Sequence, residues 1–241
     1  IGQSDMFGVL TTEPEAVEQE FVSVRKWSEA VWLEGERDTL GLYLTGHPIN
    51  RFRKELKHYI NSTLSSVTPT RKDESIAIAG LVIDIRVLTN KRGQRFAIVT
   101  LDDKTARMDV RLFSNEYESY QELLEKDRIL WVKGEVRFDN FSNSNTMTAR
   151  EVMAIEQARE TYLRHIAITV TDEQLTNGLA SKLEKLLKPF AEGTCPIKMR
   201  YQSERVEATL NVGAQWYVNP SDELLYELQN LLGTQQVSLE F

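Results

Sequence analysis

The stretch Arg95-Phe-Ala-Ile-Val-Thr-Leu-Asp-Asp103 and the stretch Arg107-Met-Asp-Val-Arg-Leu-Phe113 decide the fold of this chain. In both, apolar and polar side chains alternate, which is typical of β-strands that bury one face. An aliphatic run at residues 76–87 precedes them and is joined to Arg95 by the turn-rich sequence Thr89-Asn-Lys-Arg-Gly93. The sequence therefore predicts three consecutive strands.

A helical pattern at residues 116–124 and a further strand pattern at residues 129–138 follow these strands. Gly80 lies inside the first strand, and a glycine there allows a barrel strand to bend sharply. Three strands, a helix and more strands are the order of a small Greek-key barrel of the OB type. We therefore expect an OB-fold five-stranded β-barrel in the middle of the chain.

Composition restricts the class of protein. The chain has 241 residues, of which 41% are hydrophobic and 27% are charged, as in soluble globular proteins. Its single cysteine, Cys195, excludes an internal disulfide and indicates a reducing compartment. No apolar run approaches the roughly 20 residues of a membrane span, and the first residues do not resemble a signal peptide. Because residue 1 is not methionine, the sequence suggests a fragment of a longer protein.

Charge is distributed unevenly around a net value of −7. Lys and Arg against Asp and Glu number 9 and 12 in residues 1–75, 12 and 12 in residues 76–155, and 8 and 12 in residues 156–241. Only the neutral middle could favour a phosphate backbone. Within it, cations outnumber acids along the first three predicted strands, whereas glutamates are concentrated on the helix that follows.

The rest of the sequence divides around the barrel. Helical patterns at residues 28–44 and 50–60 come first, and a segment rich in Ser and Thr at residues 62–70 gives the first boundary. A second boundary falls near residues 158–164. We expect a multi-domain α+β protein with a helical N-terminal segment (1–70), the OB-fold domain (71–157) and a small C-terminal α+β domain (158–241).

The C-terminal domain is predicted to combine strands and helices. A strand pattern at residues 165–170 is followed by a helix that begins after Thr171 and carries a leucine stripe. A hairpin over residues 197–202 and 206–212, a second helix capped by Ser221 and a last strand over residues 236–241 complete the pattern.

Several motifs together resemble one family. Glu34-Gly-Glu-Arg-Asp-Thr-Leu-Gly-Leu-Tyr-Leu-Thr-Gly-His-Pro-Ile49 resembles the segment before the OB domain in the alpha subunit of bacterial replicative DNA polymerase III, a C-family polymerase. Thr89-Asn-Lys-Arg-Gly-Gln-Arg-Phe96, Thr100-Leu-Asp-Asp103 and Met147-Thr-Ala-Arg-Glu-Val152 are similar to that OB domain. The resemblance covers essentially the whole chain. It implies a cytoplasmic replisome protein that works in chromosomal DNA replication.

The resemblance implies a binding function for the first residues of the sequence. Read alone, Met6 and Phe7 after Gln3 are either a frayed terminus or two apolar anchors with an amide that directs hydrogen bonds. In the family, a peptide of this kind binds the beta sliding clamp, which implies that the clamp buries Met6 and Phe7 while Gln3 sets the register. Ser4 and Asp5 are expected to face outward.

For the barrel, the resemblance implies single-stranded DNA as the ligand. Small OB barrels bind single strands across their second and third strands, with cations on phosphates and aromatic rings on bases. The alternative is a solvated basic surface, and Phe138 is either a stacking residue or a core residue of its strand. The residues expected to contact DNA are Arg86, Lys91, Arg92, Arg95, Arg107, Arg111 and, in a polar loop, Phe141.

The C-terminal domain is expected, again by resemblance, to bind the tau subunit of the clamp loader. Aromatic side chains that are exposed commonly anchor protein interfaces. We therefore expect the contact surface to include Trp216, Tyr217, Leu224 and Leu228.

No catalytic site is expected in this segment. Template-directed nucleotidyl transfer needs carboxylates that converge on paired metal ions. Asp102 and Asp103 form the only adjacent acidic pair of the barrel pattern, and they lie in a turn, where aspartates are ordinary. His47 has no second ligand at metal-binding spacing and is expected to stabilise a turn. These residues predict a non-catalytic segment without metal or cofactor, and the resemblance implies that its parent is a DNA-directed DNA polymerase.

Three other interpretations stay open. A stand-alone OB-fold protein would hold single strands tightly after residues 1–75 and 156–241 are removed. A structural adaptor would bind clamp and loader subunits but not DNA. A metal-dependent nuclease would cleave single strands when magnesium or manganese is added.

Overall fold

The computed structural model describes Trp27 and residues 29–71, 74–176, 178–203 and 206–241. Contacts between residues divide the chain into two compact units, Ile1–Thr45 and Gly46–Phe241. Within the described ranges, no helix combines the length and the apolar character that crossing a membrane requires.

The described part of the first unit is a single helix, α1 (Glu29–Leu40), and the loop after it. The predicted helix extended to residue 44, but Gly41 adopts a left-handed conformation with φ of 74° and ends it. The Glu36 carboxylate then accepts hydrogen bonds from the amides of Leu44 (2.8 Å) and Thr45 (3.0 Å). The hydrogen bond from the Thr45 side chain, followed by the one from the Thr45 amide, lowers the pKa of Glu36 to about 2.

The second unit opens with two short helical turns. A 3-10 turn at Pro48–Phe52 leads into α2 (Arg53–Leu56), in place of the single helix that we predicted over residues 50–60. The ring nitrogen Nδ1 of His47 accepts a hydrogen bond from the amide of Ile49 at 3.2 Å. His47 therefore caps this turn, which confirms its predicted role.

A closed five-stranded barrel follows, and this confirms the OB-fold prediction. Its strands are β1 (Ile76–Thr89), β2 (Arg95–Asp102), β3 (Arg107–Leu112), β4 (Ile129–Asp139) and β5 (Ser144–Ala154), with α3 (Ser114–Tyr120) between β3 and β4. The strand order is β1-β2-β3-β5-β4, closed by β4 against β1. β3 and β5 are parallel, and the other neighbours are antiparallel.

Aliphatic side chains fill the barrel, and two glycines allow its strands to approach closely. A Cβ atom at Gly80 would lie 2.9 Å from the Cβ of Leu101. A Cβ at Gly134 would run into the carbonyl oxygen of Thr148, beside an irregularity in the pairing of β4 with β5. The core is built mainly by Ile78, Val82, Val99, Leu101, Val110, Leu130, Val136 and Met147.

The C-terminal part packs helices on a four-stranded sheet of order β10-β6-β8-β9. Its elements are α4 (Ile155–Tyr162), β6 (His165–Thr171), α5 (Asp172–Thr176), α6 (Leu179–Leu187), β7 (Ala191–Cys195), β8 (Ile197–Gln202), β9 (Glu207–Asn211), α7 (Asp222–Leu232) and β10 (Val237–Glu240). The helix predicted after Thr171 is divided into α5 and α6, and Gly178, with φ of 69°, directly precedes α6. Ser221 accepts a hydrogen bond from the amide of Leu224 at 3.2 Å, which confirms it as the cap of α7.

A buried arginine joins the turns before the barrel to the C-terminal part. Arg159 of α4 is only 3% exposed, and its guanidinium donates to both carboxylate oxygens of Glu55 at 2.7 and 2.8 Å. It also contacts Asp222 (2.8 Å) and the carbonyl oxygen of Pro220 (2.9 Å). Burial alone would lower the pKa of Arg159, but the contacts with Glu55 and Asp222 raise it above its ordinary value. The second boundary predicted near residues 158–164 therefore overlaps α4. The Arg159 side chain of this helix links a residue before the barrel to residues of the C-terminal part.

Candidate nucleic-acid interface

One side of β1, β2 and β3 points away from the barrel core and combines charged with apolar side chains. Residues paired across antiparallel strands share a face, and the register places Ile98 between Arg86 and Arg111. Leu88 is paired with Phe96, two residues further along β1. We call this surface the strand face. It consists of Asp84, Arg86, Leu88, Phe96, Ile98, Thr100, Asp102, Arg107, Asp109 and Arg111.

The aromatic residues of this region were missed by the sequence analysis. Phe96 lies on the strand face and is half-buried, while Phe113 follows β3 directly and is 51% exposed. Leu88 beside them is 44% exposed. A signal was present in the sequence, because a period of two places Phe96 on the same side of β2 as Thr100 and Asp102. Aromatic and aliphatic side chains therefore lie on and beside the strand face, next to the arginines that the sequence predicts as DNA contacts.

The predicted arginines of the strand face are all paired with carboxylates. Arg86 lies 2.9 Å from Asp109, and Arg107 lies 2.9 Å from Asp102. Arg111 forms an ion pair with Asp139, the last residue of β4. At this exposure such pairs contribute only about 0–1 kcal/mol each to stability, so they can exchange partners.

Lys91 and Arg92 lie in the turn between β1 and β2, where both are exposed. Asn90 organises this turn, because its side-chain oxygen accepts from the amides of Arg92 (2.8 Å) and Gln94 (3.0 Å). Among the described residues, neither Lys91 nor Arg92 has an ion-pair partner. A phosphate can therefore bind these two cations without first displacing a carboxylate.

Arg95 differs from the other predicted cations. It begins β2 on the side opposite to Phe96, and its guanidinium lies 5.4 Å from the centre of the Tyr117 ring of α3. The structure therefore does not place Arg95 with the strand-face arginines.

The turn between β4 and β5 presents Phe141, whose side chain is fully exposed. Asp139 supports this turn by accepting a hydrogen bond from the Phe141 amide at 2.9 Å. That bond, followed by the contact with Arg111, holds the pKa of Asp139 below its ordinary range. Phe138 is 50% exposed, so it lies outside the core and its interpretation as a core residue is wrong.

The adjacent aspartates after β2 are used by the turn itself. Asp103 accepts from the amides of Thr105 (2.8 Å) and Leu64 (2.8 Å), and Asp102 accepts from the amide of Lys104 (2.7 Å). Across the described ranges, no group of three or more His, Cys, Asp or Glu side chains could hold a metal ion.

In the C-terminal part, only some predicted contact residues reach the surface. Tyr217 is 37% exposed, and Trp216 is half-buried against the core. Leu224 and Leu228 are completely buried on the inner side of α7, so they serve packing and we remove them from the contact surface. Cys195 is also buried, which raises the pKa of its thiol to about 11. The peptide Gln3 to Phe7 lies outside the described residues.

Comparison with known protein families identifies two segments. Residues 76–155, which contain the barrel, match a family described as "OB-fold nucleic acid binding domain". Residues 182–233 match a family described as "DNA polymerase III subunit alpha, C-terminal domain". The crystal structure of a single-stranded DNA-binding protein from Thermus aquaticus matches 36% of this chain and 44% of its own chain, at 17% identity and a TM-score of 0.30.

Curated relatives match over the whole chain. DNA polymerase III subunit alpha of Escherichia coli K12 is 51% identical over 242 residues, which are 100% of this chain and 21% of that protein. The subunits of Vibrio cholerae and Pseudomonas aeruginosa are 49% and 35% identical, again across 100% of this chain and 21% and 20% of theirs. The chain therefore belongs to the DNA polymerase III subunit alpha family, and it spans about a fifth of the length of these relatives.

Proposed function

We propose that this chain is a non-catalytic region of a DNA-directed DNA polymerase, whose barrel binds single-stranded DNA on the strand face. Two further contacts complete the proposal: Gln3 to Phe7 bind the beta sliding clamp, and the C-terminal part binds the tau subunit of the clamp loader. The region would then hold the polymerase to its clamp, its loader and its template in the bacterial replisome.

The observation that supports DNA binding most is the combination of side chains on one surface. Phe96 and Leu88 lie beside Arg86 and Arg111 on the strand face, and Phe113 adjoins them. Aromatic rings stack on unpaired bases, at about 1–3 kcal/mol per base, while arginines bind phosphates. Neither contact reads a particular base, which suits a surface over which any template must pass.

Lys91 and Arg92 extend this surface with cations that need no exchange of partner. We expect Lys91→Gln with Arg92→Gln to weaken binding of an oligothymidine by about tenfold at low salt. The slope of log K against log salt concentration should become shallower by about 1.4, since each phosphate contact on a single strand contributes about 0.7. Fluorescence anisotropy titrations at several salt concentrations measure both quantities.

The matched control is Lys182→Gln with Lys185→Gln, because these exposed lysines of α6 carry the same charge far along the chain. The control should bind like the unchanged protein. Equal affinity and equal slope for the two double variants would show that Lys91 and Arg92 do not contact DNA. No binding by the unchanged protein at low salt would instead favour the structural adaptor.

A surface for the tau subunit is proposed around Tyr217. Val218, the next residue, is completely buried, and Trp216 packs against the core, so the Tyr217 ring is presented by a rigid segment. Rigid aromatic side chains are favourable anchors for a partner because little conformational freedom is lost on binding.

A further inference from the structure

The arginines of the strand face are held by carboxylates of the barrel itself. The Arg86 guanidinium lies 2.9 Å from Asp109, and Arg111 is paired with Asp139. Arg86 also approaches Asp84 at 3.6 Å. A phosphate that binds either arginine would therefore meet a carboxylate already in place.

These carboxylates are positioned by bonds that do not involve the arginines. Asp109 accepts a hydrogen bond from the Thr100 hydroxyl at 2.7 Å, across the β2–β3 pairing. Asp139 accepts one from the Phe141 amide at 2.9 Å, within the β4–β5 turn. Each acid would thus keep its place when its arginine turns away, so it remains ready to recapture the arginine.

We propose that Asp109 and Asp139 compete with DNA phosphates for Arg86 and Arg111, and thereby limit the affinity and the residence time of single-stranded DNA. This inference rests on the proposed function and describes how the affinity of the barrel for single-stranded DNA is limited. Binding becomes an exchange in which a phosphate replaces a carboxylate, so fewer counterions are released than the number of arginines suggests. Weak, quickly reversed contacts suit a surface that a moving template must leave at every step.

Conversion of each acid to its amide tests this competition. Asp139→Asn retains an oxygen that accepts from the Phe141 amide, and Asp109→Asn retains one for the Thr100 hydroxyl, so the fold should persist. We expect each variant to bind an oligothymidine about two- to fivefold more tightly, which corresponds to an exposed ion pair of up to about 1 kcal/mol. The salt slope should steepen by about 0.7 for Asp139→Asn because one more cation is available to a phosphate, and by less for Asp109→Asn because Asp84 still lies 3.6 Å from Arg86.

The control is Glu184→Gln on α6, which removes the same charge at an exposed position away from the barrel strands. This control shows whether tighter binding results from the loss of local competition for the arginines or only from the less negative net charge of the protein. If the Asn variants bind like Glu184→Gln, while Lys91→Gln with Arg92→Gln still weakens binding, the competition is refuted and the DNA-binding function stands. If the unchanged protein and all variants fail to bind at low salt, the proposed function itself is refuted.

Discussion

Replacement of Arg159 by methionine should lower the free energy of unfolding by about 3–5 kcal/mol, because it leaves the buried Glu55 carboxylate without its partner. Glu55 is 6% exposed and receives two hydrogen bonds from Arg159, at 2.7 and 2.8 Å. The carbonyl oxygen of Pro220 loses a donor as well. Chemical denaturation followed by tryptophan fluorescence measures the change.

Two further variants make this test specific. Arg164→Met changes the same residue type at an exposed position nearby and should alter stability by less than about 0.5 kcal/mol. Glu55→Leu together with Arg159→Met replaces both charges by apolar groups and should recover much of the loss. A loss below about 1 kcal/mol for Arg159→Met alone would contradict the expected contribution of the buried pair to stability.

Met6→Ala with Phe7→Ala should reduce binding to the beta sliding clamp at least a hundredfold. Truncation of an interface anchor commonly costs about 2 kcal/mol or more, and two such losses exceed a factor of 100. Ser4→Ala with Asp5→Ala, in the same peptide, should leave the affinity nearly unchanged. Calorimetric titration of the clamp into each variant provides the comparison.

The same variants separate the two proposed protein partners. The Met6 and Phe7 variant should still bind the tau subunit, whereas Tyr217→Ala should weaken tau binding and keep clamp binding. Undiminished clamp affinity after truncation of both anchors would remove the peptide from the proposal. If either variant failed to bind both the clamp and the tau subunit, unfolding would be indicated, and the denaturation curves would reveal it.

The barrel could be predicted from the sequence because its signal is local. Alternation along residues 95–102 and 107–112 reflects one buried face, and the observed strands differ from the predicted ones by only one or two residues. Helix ends were predicted less well, since they depend on single glycines. Gly41 and Gly178 adopt positive φ, and each ends or precedes a helix where apolar spacing alone suggested continuation.

The candidate site was only partly accessible from sequence. Residue type and strand position identified Arg86 and Arg111, but their acidic partners lie 23 and 28 residues away along the chain. The partner of Arg159 is 104 residues away, so no local pattern could reveal it. The sequence predicts Leu224 as a contact residue for the tau subunit, whereas in the structure it is buried on the inner side of α7 and serves packing.

Photo-crosslinking to an oligonucleotide that carries 5-iodouracil tests the central claim most directly, because this base forms covalent bonds with aromatic rings on which it stacks. After crosslinking, peptide mass spectrometry locates the modified residues. Binding on the strand face predicts adducts at Phe96, Phe113 and Phe141, which are lost when excess unlabelled single strand competes. Adducts confined to residues outside the barrel, with these three rings unmodified, would contradict the account.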